Sequence, residues 1–178
     1  MAIRKIITPE NPMLRKKAHR VTDFGKNFQT LVDDMIETMI EAPGVGLAAP
    51  QVAVPQRLLV ARLPDDVEGQ KEYGKLAGVV HVLVNPEIIK VSRTMVEGAE
   101  ACLSIPGYAG KVDRYESIVV RAQDRKGKEV RIKAHDWLAR IFQHEIDHLD
   151  GRLYIDIAKE IWEQKPEDEA EGKAVKAE

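Results

Sequence analysis

The run Gln143-His144-Glu145-Ile146-Asp147-His148-Leu149-Asp150-Gly151 sets two histidines four residues apart, with a glutamate directly after the first. On an α-helix, at about 100° per residue, His144 and His148 fall about 40° apart on one face and can grip a single ion. Glu145 then lies about 60° from His148, at the edge of that ion. A carboxylate there is badly placed to be a third ligand from the same turn, but it can reach a water on the metal and take its proton. The chemistry is metal-assisted hydrolysis. The plainer alternative, a solvated helix face, sits poorly with a complete H-E-x-x-H spacing. Taken alone, the motif leaves many hydrolases open.

A third ligand has a single cysteine to draw on, Cys102, in Glu100-Ala101-Cys102-Leu103-Ser104-Ile105-Pro106. One cysteine forms no intrachain disulfide. A free cysteine is usually a small buried hydrophobe, but beside a histidine pair that needs further ligands, thiolate ligation is the better reading. Cysteine with two histidines leaves a fourth position for water, as in a catalytic rather than a structural site, and at a tetrahedral centre the set suits zinc. A further segment, Gly44-Val45-Gly46-Leu47-Ala48-Ala49-Pro50-Gln51, has almost no side-chain bulk before its last residue. Backbone can approach a ligand closely there. It has neither G-x-G-x-x-G spacing nor a Gly-Lys-Ser/Thr end, so it is no phosphate loop. By itself it is equally an ordinary glycine-rich turn.

The elements that must position these residues form an α+β pattern. Phe28, Leu31, Val32, Met35, Ile36, Met39 and Ile40 recur at helical spacing, which predicts a helix with its apolar stripe on a core, ended by Ala42-Pro43-Gly44. β-rich runs follow at 57–62, 79–85 and 88–92, and 118–122 and 129–133 flank a hairpin turn at 125–128. The stretch between Pro64 and Gly78 reads as an exposed excursion. The metal helix should start after Asp136 as N-cap and stop at Gly151 as the C′ residue. Trp137 and Ile141 precede His144 by about two turns and one turn on its face, so they line the cavity beside the metal or belong to plain core. His19, His81 and His135 have no ligand spacing.

Length and charge bound the rest. The 178 residues suit one domain. No apolar run approaches the roughly 20 residues that span a bilayer, and no apolar leader opens the chain, so neither membrane insertion nor export is expected. The lone thiol fits a reducing compartment, the cytoplasm. The net charge of −2 divides unevenly: residues 159–178 carry seven acids and four bases, leaving the rest at +1. No basic stripe with aromatic platforms indicates nucleic acid. The one basic cluster, Arg15, Lys16, Lys17, His19 and Arg20, reads as a solvated loop. Helical potential persists through Ile161 and Trp162. Residues 166–178 hold one apolar residue larger than alanine, Val175. That acidic tail is expected to lack structure of its own, beyond a domain at 1–165.

Three motifs in this order, G-x-G-x-A-A-x-Q at Gly44 to Gln51, E-G-C-x-S at Glu100 to Ser104, and Q-H-E-x-D-H at Gln143 to His148, resemble the peptide deformylases. Ile6 to Arg15 also looks like the family's opening, so the resemblance runs over about residues 3 to 157. Ala101 departs from it, standing where the family usually has glycine. The resemblance implies small sheets packed around a central metal-binding helix, with an amphipathic N-terminal helix. It implies removal of the N-formyl group from the formylmethionine of nascent chains, with Cys102, His144 and His148 as ligands and Glu145 as general base. The oxyanion would be met by the Gln51 side-chain amide and the Leu103 backbone N–H. Gly44, Val45, Gly46 and Ala101 would bind the peptide in extended form, and Trp137 and Ile141 would seat the methionine side chain. The family typically uses Fe²⁺, for which Zn²⁺, Ni²⁺ or Co²⁺ substitutes. Transient contact with the ribosome is a further implied partner, although the acidic tail does not supply the basic helix through which some deformylases dock. Against this stand an H-E-x-x-H metallopeptidase, which would leave Cys102 and Gln51 unexplained, a deformylase-like protein of altered acyl specificity, and a noncatalytic metal-binding module, which would not need Glu145.

Overall fold

The computed structural model describes residues 2–164. In chain order the elements are α1 (Lys26–Glu41), β1 (Gly46–Ala48), β2 (Leu58–Ala61), α2 (Val67–Tyr73), β3 (His81–Val91), β4 (Met95–Cys102), β5 (Ile105–Tyr115), β6 (Ser117–Gln123), β7 (Glu129–His135), α3 (Asp136–Leu149) and β8 (Glu160–Glu163). The strands form two sheets, β1-β2-β3-β6-β7 and β4-β5-β8. All strand pairs are antiparallel. The tail at 166–178 lies outside the described residues.

The first sheet is covered on both faces, and β2 shows why. Its four residues Leu58-Leu59-Val60-Ala61 are all buried. Alternation along the strand sends Leu58 and Val60 toward the α1 stripe of Phe28, Leu31, Val32, Met35 and Met39, while Leu59 and Ala61 meet Leu138, Ile141, Phe142 and Ile146 of α3. A strand buried on both faces reads as a continuous apolar run. The α1 stripe is narrower than its spacing predicts. Ile36 is half-buried and Ile40 is 44% exposed, because at about 100° per residue they fall roughly 80° and 120° from Phe28, at and beyond the edge of the buried stripe.

Strand β3 joins the two expected runs at 79–85 and 88–92 into one irregular strand, with register shifts against β6 around Asn85 and Pro86. Asn85 has φ +51, and its side chain accepts from the Val21 N–H at 2.8 Å and donates to Val21 O at 2.9 Å. Helix α2 occupies the expected excursion, capped by Asp66, whose side chain accepts from Gly69 N–H. The expected helical end at Ile161 and Trp162 is instead β8, paired with β5 from Tyr108 to Lys111. Helix α3 ends as expected, with Gly151 at φ +74. A Cβ on Gly151 would stand 2.6 Å from Arg15 O. Its start differs: His135 occupies the cap position, and Asp136 has φ +51 with its N–H donated to Glu116 O at 2.8 Å. Asp136 is therefore not the N-cap, because the helix springs directly from β7 and that backbone turn orients its first residue.

Candidate metal centre

Three elements converge on α3. Strand β4 ends at Cys102, and only Leu103 and Ser104 separate it from Ile105, the cross-strand partner of Cys102. Strand β1 passes Gly46 across the face of α3, and a short turn carries Gln51. The ligand atoms of Cys102, His144 and His148 all lie within 4.8 Å of one another, on buried side chains. Cys102 Sγ is 3.2 Å from His148 Nε2. The two imidazoles meet edge to face, with centroids 5.1 Å apart. A soft sulfur with two ring nitrogens from one helix face fits one divalent ion.

The neighbour that prepares this set is Glu100, two residues before Cys102 on the same face of β4. Its Oε1 accepts from Arg114 Nε at 2.8 Å and Arg140 Nη1 at 2.9 Å; its Oε2 accepts from Arg114 Nη2 at 3.0 Å and lies 2.9 Å from His144 Nδ1. An ionised carboxylate can only accept, so Nδ1 of His144 carries the proton and Nε2 is left to ligate. Burial alone would push the Glu100 carboxyl up, but hydrogen bonds from Arg114 and His144 outweigh it and hold Glu100 well below the usual carboxylate range. Tyr154 supports the other side of the ring, stacked on His144 at 6.0 Å between centroids. Arg114 continues to Asp147 Oδ2 at 2.6 Å, tying β5 back to α3.

Glu145 has the opposite surroundings. Its carboxyl is buried and its Oε2 has no hydrogen-bond partner among the described residues. Burial, reinforced by the charge on Glu100 and opposed by His144, raises it to about 7. Gly46 makes the room, since a Cβ there would stand 2.8 Å from Glu145 Cδ. The backbone of Gly46 does not have positive φ, so space and not conformation demands glycine. His148 is pushed well below its usual range by burial and by His144, and is therefore neutral. Burial lowers His144 too, but its hydrogen bonds to Cys102 and Glu100 carry it well above that range in the metal-free protein, so a bound ion would displace the proton at Nε2.

Gln51 faces the same space. Its Oε1 accepts from Ala48 N–H at 2.8 Å, which turns Nε2 toward Cys102 Sγ at 3.6 Å and Ser104 Oγ at 3.2 Å. Leu103 lies in the β4–β5 turn, and a Cβ on Gly44 would meet its Cδ1 at 2.8 Å. Ala101 is exposed on β4 opposite Ala109 and does not have positive φ. Ile141 is buried in the core between α3 and the first sheet, with Trp137 and Val45 half-buried at its margin. Ligands, Glu145, Gln51, Gly46 and Leu103 thus share one locality, whereas Ile141 is a core residue in this arrangement. His19 and His135 are exposed, and His81 packs edge-on against Phe142 at 5.5 Å. Sequence reasoning did not single out Glu100, Arg114, Arg140, Asp147 or Tyr154. One signal was present: Arg140 and Asp147 are charges four residues before and three after His144, and both are buried in the helix.

Residues 3–164 match the family model described as polypeptide deformylase. The peptide deformylase of Symbiobacterium thermophilum is 49% identical, over 97% of this chain and 81% of its own. That of Dehalococcoides mccartyi is 47% identical over 95% and 96%. Among solved structures, the peptide deformylase of Thermotoga maritima superposes with a TM-score of 0.80 at 34% identity, covering 90% of this chain and 100% of that one. The Ehrlichia chaffeensis peptide deformylase in complex with actinonin gives 0.80 at 36% identity over 97% and 94%.

Proposed function

This chain belongs to the polypeptide deformylase family and is a hydrolase that removes the N-formyl group from N-formylmethionine at peptide N-termini; we propose that it does so with Glu145 as general base beside a metal held by Cys102, His144 and His148. The observation that carries the assignment is the buried, unpartnered Glu145 oxygen next to three converging donors. A bound divalent ion supplies Lewis acidity, acidifying a water and polarising the formyl oxygen. Glu145 would take the water's proton at Oε2 as the water oxygen adds to the formyl carbon, and would later deliver that proton to the departing amine nitrogen, so the C–N bond breaks and formate leaves with a free α-amine on the peptide. The Gln51 amide and the Leu103 N–H donate to the oxygen on which charge develops. The backbone of Gly44, Val45 and Gly46, with Ala101 opposite, binds the peptide as a strand would. Of the two residues expected to seat the methionine side chain, half-buried Trp137 offers the apolar surface, while Ile141 is buried in the core.

The native ion is Fe²⁺ in this reading, with Zn²⁺, Ni²⁺ and Co²⁺ as substitutes that the same donors accept. The catalytic unit is residues 1–165, and the acidic segment 166–178 is dispensable for deformylation. Bacterial relatives support work in the cytoplasm on nascent chains, and transient contact with the ribosome belongs to the same reading. The described residues contain no helix long and apolar enough to cross a membrane. Metal analysis of anaerobically purified protein, paired with formate release from formyl-, acetyl- and unblocked methionyl peptides, tests the whole. Formate from the formyl peptide alone, with one iron per chain, is expected. Cleavage of unblocked peptides, or full turnover without metal, overturns it.

A further inference from the structure

On β4, Gly98, Glu100 and Cys102 alternate onto the face that meets α3. Gly98 does not have positive φ, so its backbone asks for no glycine. What asks for it is Arg140: a Cβ on Gly98 would stand 2.8 Å from both Cζ and Nη2 of that guanidinium. Seated there, Arg140 donates from Nη1 to Glu100 Oε1 and Val112 O, both at 2.9 Å, and from Nη2 to Val96 O at 2.6 Å. Arg140 sits on α3 one turn before His144, and both side chains end on the same carboxylate. Glu100 thus has its four acceptor positions filled, three by guanidinium groups and the fourth by His144 Nδ1. Arg114 fixes the carboxylate to β5 and reaches α3 only through Asp147, beyond His144. Besides His144 itself, among the described residues only Arg140 ties it directly to the helix that carries the imidazole.

We propose that Arg140, resting on the bare backbone of Gly98, is a positioning residue that acts through Glu100 to hold the His144 ring in its metal-ligating orientation. The inference rests on His144 being a ligand, and His144→Ala is the control for that reading. The site has two handles. Arg140→Met removes the guanidinium and keeps much of its length, whereas Gly98→Ala leaves Arg140 chemically intact and displaces it.

The test uses full-length protein loaded with cobalt(II), with three readouts: the visible absorption bands, cobalt retention against a chelator, and kcat and KM for a formylmethionyl peptide. Each single variant is expected to weaken cobalt retention roughly 10- to 100-fold, the range for partners of metal-ligating histidines. The absorption bands should shift, and kcat should fall with KM within about twofold. The double variant should be little worse than Arg140→Met alone, since Cζ and Nη2, the atoms that the methyl would meet at 2.8 Å, are gone. Arg140→Lys, which keeps a charge and a donor near Glu100, should recover part of the retention and carries the same test if Arg140→Met does not fold. A brace that merely joins β4, β5 and α3 would lower the melting temperature and leave bands and retention at parental values. That result overturns the proposal, as does additivity between Gly98→Ala and Arg140→Met. If His144→Ala retains cobalt like the parent, the ligand reading itself has failed.

Discussion

Glu145→Gln should act in opposite directions on stability and on turnover. In the metal-free protein Glu145 is buried with a free oxygen, and its carboxyl is raised from 4.5 to about 7. A carboxyl raised on folding binds more protons folded than unfolded between those values, so stability falls as pH climbs from about 4.5 to about 7 and stays reduced above. That difference corresponds to a penalty on the order of 3 kcal/mol at alkaline pH. Glutamine carries no charge and escapes it, but its buried amide brings donors that need partners, which takes back roughly 1–3 kcal/mol. The net gain is therefore about 1–2 kcal/mol at most, or roughly 2–8 °C in melting temperature for a chain of this size. Thermal melts of chelator-treated parent and variant at pH 5 and pH 9 should show the variant ahead at pH 9 only. Formate release by the metal-loaded variant should drop roughly 10²- to 10⁴-fold, the worth of a general acid–base group. Equal melting differences at the two pH values, or turnover within tenfold of the parent with metal retained, would refute the reasoning.

Cys102→Ala, His144→Ala and His148→Ala should each lose the ion on dialysis, with Cys102→Ser milder; stoichiometric retention by Cys102→Ala contradicts the Cys/His/His set. Gly46→Ala should keep the metal and lower kcat by about 10²-fold, because the methyl would stand 2.8 Å from Glu145 Cδ and push the base off its position; a parental kcat counts against that contact. Ala101→Gly should change kcat/KM less than tenfold, about 1.4 kcal/mol, since Ala101 is a strand residue without positive φ; an inactive parent rescued by glycine, or a preference for acetylmethionyl over formylmethionyl peptide, overturns that view.

The parts of the fold that announce themselves are those whose inward positions are apolar. Helix α1 and the β6–β7 hairpin show their periods plainly because Met35, Val120 and their neighbours fill one face with hydrocarbon. Strand β4 does not, because its inward positions are Gly98, Glu100 and Cys102, and β5 answers with Arg114. Alternation is present there, but it alternates function with solvent, and hydrophobicity carries no trace of it. Strand β8 is unreadable for another reason. Its order comes from the β5 edge and from Lys159 paired with Asp113 and Glu97, partners distant in sequence. The proposed histidine ligands were legible because helix geometry links spacing to space, and Cys102 because no other cysteine exists. The residues that orient them were not: Arg114 and Tyr154 reach the site from separate elements, and Arg140, though on α3, acts through Glu100 of β4.

The site's geometry also separates the glutamate proposed as general base from its neighbour, without reference to motif position. Glu100 and Glu145 lie in the same buried region, yet Glu100 has every acceptor position occupied and is held far down, whereas Glu145 is left with a free oxygen and drifts up to about 7. A carboxylate saturated by two arginines can orient a histidine but cannot take a proton at neutral pH. One with no donors around it, poised near neutrality, can take a proton and give it back. The two environments are built by two glycines. Gly98 admits the guanidinium that locks Glu100, and Gly46 withholds the side chain that would crowd Glu145. Roles in this site follow from which carboxylate the backbone lets the cations reach.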